Sequence, residues 1–228
     1  MRELESRATA YTTLADGPDF RHELEIKRSR FITVIRRTGD EEGARALVAG
    51  LRREFHDARH HCSAFVLGPD RDIQRSSDDG EPSGTAGIPM LEALVRRETA
   101  PGVTDLSDVS AVVVRYFGGI LLGAGGLVRA YSESVSSALD LAPLVRRSRL
   151  RVCSVEVAHP SAGRLENDLR AAGYVMAETS YEATNTVLRI ALPDQADELR
   201  RAAERLAGMT AGSAALVPGG TEWIDVPF

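Results

Sequence analysis

The chain has 228 residues, of which 43% are hydrophobic and 27% charged, with a formal net charge of -5 at pH 7. That length holds one large domain or two small ones with proper cores, and the composition is ordinary for a folded globular chain. The acidic balance excludes a polycation that coats nucleic acid by bulk attraction, so any phosphate contact must come from a local basic patch.

Residues 1–25 read as polar and irregular, broken at Gly17 and Pro18. Residues 31–35 read as a short strand. Residues 41–55 read as a helix, because Ala44, Leu47, Val48, Leu51 and Phe55 share one face. A second strand is expected over 62–67, then a polar segment over 68–87, then a helix near 89–97 with Pro89 in its first turn. Residues 109–117 read as a buried strand, and 127–141 as a helix with Leu127, Tyr131, Val135, Ala138 and Leu139 inward. Pro143 and the basic run 146–149 mark a boundary. Beyond it come a strand at 151–158, a helix at 162–172 closed by Gly173, strands at 174–181 and 184–192, a helix at 194–207 and a last strand within 214–226. In that second helix Leu199, Ala202, Ala203 and Leu206 share a face. This βαββαβ order is that of a ferredoxin-like domain. The division predicted is residues 1–142, a linker at 143–148 and a second domain at 149–228, both of α+β class.

Cys62 and Cys153 are the only cysteines and lie far apart, so no disulfide framework is expected and a reducing cytoplasm fits. The first residues carry no apolar signal core. The apolar stretch 111–128 is interrupted by Arg115 and by glycines, which argues for a strand and loop rather than a membrane span.

Three constellations carry chemistry. Between Val112 and Tyr131 the sequence reads VVVRYFGGILLGAGGLVRAY. The apolar run breaks on Gly118 and Gly119, then on Gly123, Gly125 and Gly126, before helical spacing resumes. No acidic residue lies between Asp108 and Glu133, and Arg115 and Arg129 bracket the glycines. Main-chain N–H groups freed at such a helix start suit an anion. Tyr116 or Phe117 could stack on a base. No Gly-Lys-Ser/Thr follows the glycines, and no ordered GxGxxG with a distal acid is present, so no ATP or NAD cofactor is expected.

The second constellation, SSDDGEPSGTAGIP over 76–89, crowds Asp78, Asp79 and Glu81 into four positions, followed by Ser83 and Thr85. Crowded carboxylates need a partner: Arg115, a hard cation or a substrate hydroxyl. A polar turn with local caps to main-chain N–H groups is the plainer alternative. The third, HDARHHC over 56–62, places His60 and His61 beside Cys62. Neighbours on a strand point to opposite faces, so a closed zinc site is not expected, and a histidine at the edge of a site is.

These segments resemble the signature blocks of the IMPACT family, also called the YigZ or UPF0029 family. The residues carrying that resemblance are Asp78, Asp79, Gly80, Glu81, Pro82, Gly84, Thr85, Arg115, Gly118, Gly119, Gly123, Gly125 and Gly126, with DARHHCSAF as a third block. The resemblance implies a first domain with the fold of ribosomal protein S5 domain 2, including a left-handed βαβ crossover, and a ferredoxin-like second domain similar to one in elongation factor G. It implies a link to ribosomes, structured RNA and the stress response. Eukaryotic members carry a further N-terminal RWD domain and modulate the kinase that senses amino-acid starvation; residues 1–25 are too short for that domain.

The leading expectation is therefore a non-enzymatic translation regulator that binds a ribosome, RNA or a translation-related protein, with no catalytic residues, metal or cofactor. Its contacts would come from residues 115–119, Gly123, Gly125, Gly126 and Arg129. One alternative is a metal-assisted hydrolase or phosphotransfer enzyme using Asp78, Asp79, Glu81 and His60 or His61. Another is a protein-docking module.

Overall fold

The computed structural model describes residues 7–226. The chain divides into two compact units, Met1–Arg146 and Arg147–Phe228.

The first unit opens with β1 (Ala10–Leu14), β2 (Phe20–Ile26) and β3 (Ser29–Arg37), followed by α1 (Glu41–Glu54). Then come β4 (His60–Leu67), β5 (Ile73–Ser77), α2 (Gly87–Val95), β6 (Val109–Tyr116) and α3 (Ala124–Leu141). Its sheet runs β2-β3-β6-β4-β5, and each pair in it is antiparallel. β6 is buried on both faces, which is why its residues 111–114 are consecutively apolar. Val109, Ala111 and Val113 pack with Met90 and Leu94 of α2 and with Tyr131 and Val135 of α3. Val112 and Val114 pack on the other face with Leu47 and Leu51 of α1. The period-two alternation then sends Arg115 toward α2 and α3.

Of the segment 1–25 expected to be irregular, residues 1–6 lie outside the described residues, and the rest holds β1 and most of β2. Tyr11, Thr12, Thr13 and Leu14 of β1 are all buried. This strand is held by distant chain: Thr12 N–H donates to Asp105 O at 3.2 Å, Ser107 N–H donates to Thr12 O at 2.9 Å, and the Tyr11 hydroxyl donates to Asp108. Such pairing leaves no local period. β2 does alternate, with Phe20, His22, Leu24 and Ile26 half-buried and Arg21, Glu23 and Glu25 exposed. β5 was also unforeseen, since its residues are polar, mostly exposed and at the sheet edge.

β7 (Leu144–Val157) carries the chain into the second unit, so the segment read as a linker is strand from Leu144 onward. There follow α4 (His159–Ala171), β8 (Val175–Tyr181), β9 (Thr186–Leu192), α5 (Ala196–Thr210) and β10 (Leu216–Val226). The order β10-β7-β9-β8 is the one a split βαββαβ domain takes, with β9 antiparallel to both neighbours. Cys153, Val155, Leu188 and Ile190 meet Leu165 and Leu169 of α4 and Ala202 and Leu206 of α5. Ala203, expected on that face, is exposed. No helix among the described residues is long and apolar enough to cross a membrane.

Candidate functional site

Both helices on the α2/α3 face of the first unit begin at the same end of the sheet. Ser77 pairs with Ser63 near the start of β4, and His60 there pairs with Arg115. Gly87 opens α2 so close to Ser77 that a Cβ would lie 2.7 Å from its nitrogen. Two turns into α3 the Tyr131 hydroxyl donates to Glu81 Oε1 at 2.7 Å. The acidic loop therefore meets the end of β6 and the second turn of α3, the two elements that flank the glycine-rich segment.

The three carboxylates do not form a cluster, because the loop is two successive tight turns. Glu81 N–H donates to Asp78 O at 3.0 Å across Asp79 and Gly80, whose φ values are 43° and 85°. That is the Asp-Gly pattern of a type I′ turn. Thr85 N–H then donates to Pro82 O at 3.0 Å across Gly84, and the Thr85 hydroxyl donates to the same carbonyl at 2.6 Å. Ser83 is exposed.

Asp78 caps α2. It accepts from Gly84 N–H at 2.8 Å, Ala86 N–H at 3.0 Å and Gly87 N–H at 2.8 Å. Burial works to raise its pKa, but the three amide donors outweigh it and hold the carboxyl below the usual range. Asp79 accepts from Arg52 Nη2 at 2.5 Å and from His61 N–H at 2.6 Å. Glu81 is buried, and its Oε1 accepts from Arg115 Nη1 at 2.6 Å. A metal held jointly by Asp78, Asp79 and Glu81 needs these carboxylates to converge. Each instead serves its own partner, and among the described residues no three His, Cys, Asp or Glu side chains are placed to hold a metal ion.

Loss of the Asp78 cap should be measurable. Asp78→Ala is expected to lower stability by about 2 kcal/mol at pH 7, since charged caps exceed the usual ~1 kcal/mol. A depressed carboxyl contributes fully above its unfolded pKa of about 3.9 and loses that contribution as pH falls through its folded value. Urea titration should thus show the gap between wild type and variant closing below about pH 4.

His60 and His61 split between faces. His60 Nδ1 lies 2.9 Å from Asp79 O, while buried His61 turns its Nε2 to Phe55 O at 3.2 Å on the α1 side. Desolvation pushes the His61 pKa down. Cys62 Sγ lies 2.9 Å from Asp78 O, which accepts its S–H, and 3.3 Å from the Tyr131 hydroxyl. Burial pushes that thiol up to about 12, so it is no nucleophile at neutral pH. Tyr131 is likewise driven up by burial, with Cys62 and Glu81 adding to the shift.

Arg115 is an internal strut rather than a surface cation. Its side chain is 7% exposed, with the guanidinium carbon 5.5 Å from the Phe31 ring and 5.7 Å from the Phe117 ring. Its Nε is buried with no hydrogen-bond partner among the described residues. Tyr116 faces α1 and donates its hydroxyl to Asp57 at 2.7 Å, so only half-exposed Phe117 offers a free ring face.

The glycines have separable roles. Gly118 N–H donates to Ser29 Oγ at 3.2 Å, and a Cβ at Gly118 would lie 2.0 Å from the Arg28 carbonyl carbon. Gly119 and Gly123 hold φ values of 83° and 70°, with Gly123 as the N-cap of α3. A Cβ at Gly126 would meet Leu122 Cβ at 3.1 Å, whereas one at Gly125 would meet nothing within 4 Å. No side chain caps α3 and its first turn holds no acid.

The Gly118 contact brings in two residues that motif reading passed over. Lys27 and Arg28 form the tip of the β2–β3 hairpin, both exposed, with φ values of 49° and 64°. Neither they nor exposed Arg129 make an ion pair among the described residues. The alternation of β2 into β3 was the signal that could have found this turn. In the second unit, a broad concavity on the sheet is lined by Glu156, Glu182 and Glu222, with Arg189 turned to Glu178 at 3.0 Å. That face suits no phosphate.

Residues 27–139 match the model of the Impact N-terminal domain. The chain is 43% identical over 172 residues to the IMPACT family member YvyE of Bacillus subtilis, covering 75% of each protein. It is 40% identical over 195 residues to YigZ of Escherichia coli, covering 85% of this chain and 91% of that one. A solved structure described only as a hypothetical protein aligns with a TM-score of 0.57 at 37% identity, over 92% of this chain and 97% of that one. At these identities and coverages, the chain belongs to the IMPACT family.

Proposed function

We propose that this protein is a non-enzymatic, translation-associated regulator that holds an anionic macromolecule of the translation machinery at the glycine-rich end of its first unit. One observation carries the reading. On a chain of net charge -5, Lys27, Arg28 and Arg129 are exposed and make no ion pair among the described residues; the first two form the turn seated on Gly118, just before the uncapped, acid-free start of α3, and the third lies in that helix's second turn. Such a place attracts anions through both the cations and the oriented amides. Gly125 supports the same reading. It sits in open space inside the first turn of α3, where alanine would favour the helix by about 0.5–1 kcal/mol. The fold does not ask for glycine there; a partner approaching the main chain does. The translation link rests on family membership.

The test is sedimentation of cell lysate through a gradient at low and high salt. Wild type is expected to run with ribosomes at low salt and leave them at high salt. Arg28→Glu with Arg129→Glu should cut that association at least tenfold without lowering the melting temperature. Gly125→Ala should weaken it while leaving the fold as stable or more so. An unchanged profile for the charge-reversed variant would remove the proposal.

A further inference from the structure

The surface around the Gly118 loop is not only cationic. Four of the ten exposed large hydrophobic side chains among the described residues fall between 117 and 128: Phe117 at 53%, Ile120 at 40%, Leu121 at 83% and Val128 at 38% exposure. Phe117 has an internal task, covering the Arg115 guanidinium. Ile120 and Leu121 have none; they belong to no core cluster, whereas Leu122 beside them packs against the core. Leu121 is three residues from Gly118, so its Cα lies at most about 11 Å from the point where the Lys27–Arg28 turn is seated. Val128 and Arg129 are exposed together on α3, one turn from Gly125.

Resting on the binding function proposed above, we infer that this surface takes an acidic, amphipathic polypeptide segment, with carboxylates on Lys27, Arg28 and Arg129 and apolar side chains over Ile120 and Leu121. Charge complementarity points to an acidic partner, because Lys27, Arg28 and Arg129 make no ion pair among the described residues and the segment between Asp108 and Glu133 carries no acid. The aliphatic side chains fix its class. A nucleic-acid strand would satisfy the cations, but its favourable contacts are stacked aromatics and phosphate pairs, and it offers little to an isoleucine and a leucine. A peptide helix with apolar residues at i, i+3 and i+4 offers both kinds of contact. Clusters of exposed aliphatics rimmed by charge mark such interaction sites.

The experiment selects ligands on the immobilised full chain from two pools in parallel, a displayed library of random 16-residue peptides and a random single-stranded RNA pool. Enrichment of peptides rich in Asp and Glu, with Leu, Ile or Phe at helical spacing, is the expected result. A selected peptide should bind Leu121→Asp at least tenfold more weakly, a change of about 1.4 kcal/mol, and Arg28→Glu similarly. Leu121 is exposed enough that its replacement leaves the fold intact, which the melting temperature verifies. Enrichment of RNA alone, or of peptides indifferent to Leu121→Asp, would overturn the inference while leaving an anion-binding regulator in place. Enrichment of neither pool, together with no ribosome association in the gradient, would remove both readings.

Discussion

Glu81→Ala is expected to lower the stability of the first unit by about 3–5 kcal/mol, enough to unfold a substantial fraction of molecules in marginal conditions. The cost does not come from losing an attraction alone. Arg115 is 7% exposed and Glu81 3%, so removing the carboxylate strands a charge that water cannot reach. The Tyr131 hydroxyl loses its acceptor in the same step, and Cys62 beside it has its own acceptor in Asp78 O. Unfolding in urea, followed by far-UV circular dichroism, would measure the loss. Glu81→Gln, which keeps an acceptor oxygen, should recover part of it. The double variant Glu81→Met with Arg115→Met should recover more, since replacing both charges by apolar groups of similar size is often neutral. A loss below about 1 kcal/mol for Glu81→Ala would mean that the pair is hydrated and that Arg115 is available to a ligand directly.

This network also explains how far the site could be read from sequence. A run of apolar residues marked β6, which is buried on both faces, and apolar periodicity marked the inward face of α3, where burial on one fixed face leaves a local period. Two motifs, 78–85 and 115–126, could be picked out as rich in chemistry, and their shared need for a charge partner made a contact between Arg115 and one of Asp78, Asp79 and Glu81 a reasonable expectation. The division of labour inside each motif was not legible. Asp78, Asp79 and Glu81 look alike in the sequence, yet a type I′ turn sends one to amides, one to Arg52 and one to Arg115. Arg115 and Arg129 look like a matched pair of clamps, yet strand parity buries the first and helix phase exposes the second. Strands β1 and β5 escaped because their partners, not their own residues, define them. Lys27 and Arg28 escaped for a different reason: a tight turn with two left-handed residues usually shows Asn or Gly, and here it shows two long cations. The turn is held from outside, by Gly118.

That seating leads to the second large effect. Gly118→Ala should cost about 3 kcal/mol, at the upper end for an overpacked site. The added Cβ would sit 2.0 Å from the Arg28 carbonyl carbon, 2.1 Å from its oxygen and 2.4 Å from Ser29 nitrogen. These are main-chain atoms, so no rotamer change relieves the clash; the β2–β3 hairpin must move by more than 1 Å to restore contact distance. Moving it also breaks the Gly118 N–H bond to Ser29, whose side chain is fully buried. Gly119→Ala is the matched control. It strains a φ of 83° but meets nothing within 4 Å, so about 1–2 kcal/mol is expected. Stability measured on both variants separates close approach from backbone strain; equal losses would mean that the hairpin tip is not seated on the glycine at all. Displacing the tip moves Lys27 and Arg28 off Gly118, so on the proposed reading Gly118→Ala should lose more partner affinity than Gly119→Ala even when both are assayed well below their melting temperatures. The same glycine thus fixes where the hairpin tip sits: it lets the end of β6 and the β2–β3 turn close onto each other, and the proposed site depends on the cations which that turn carries.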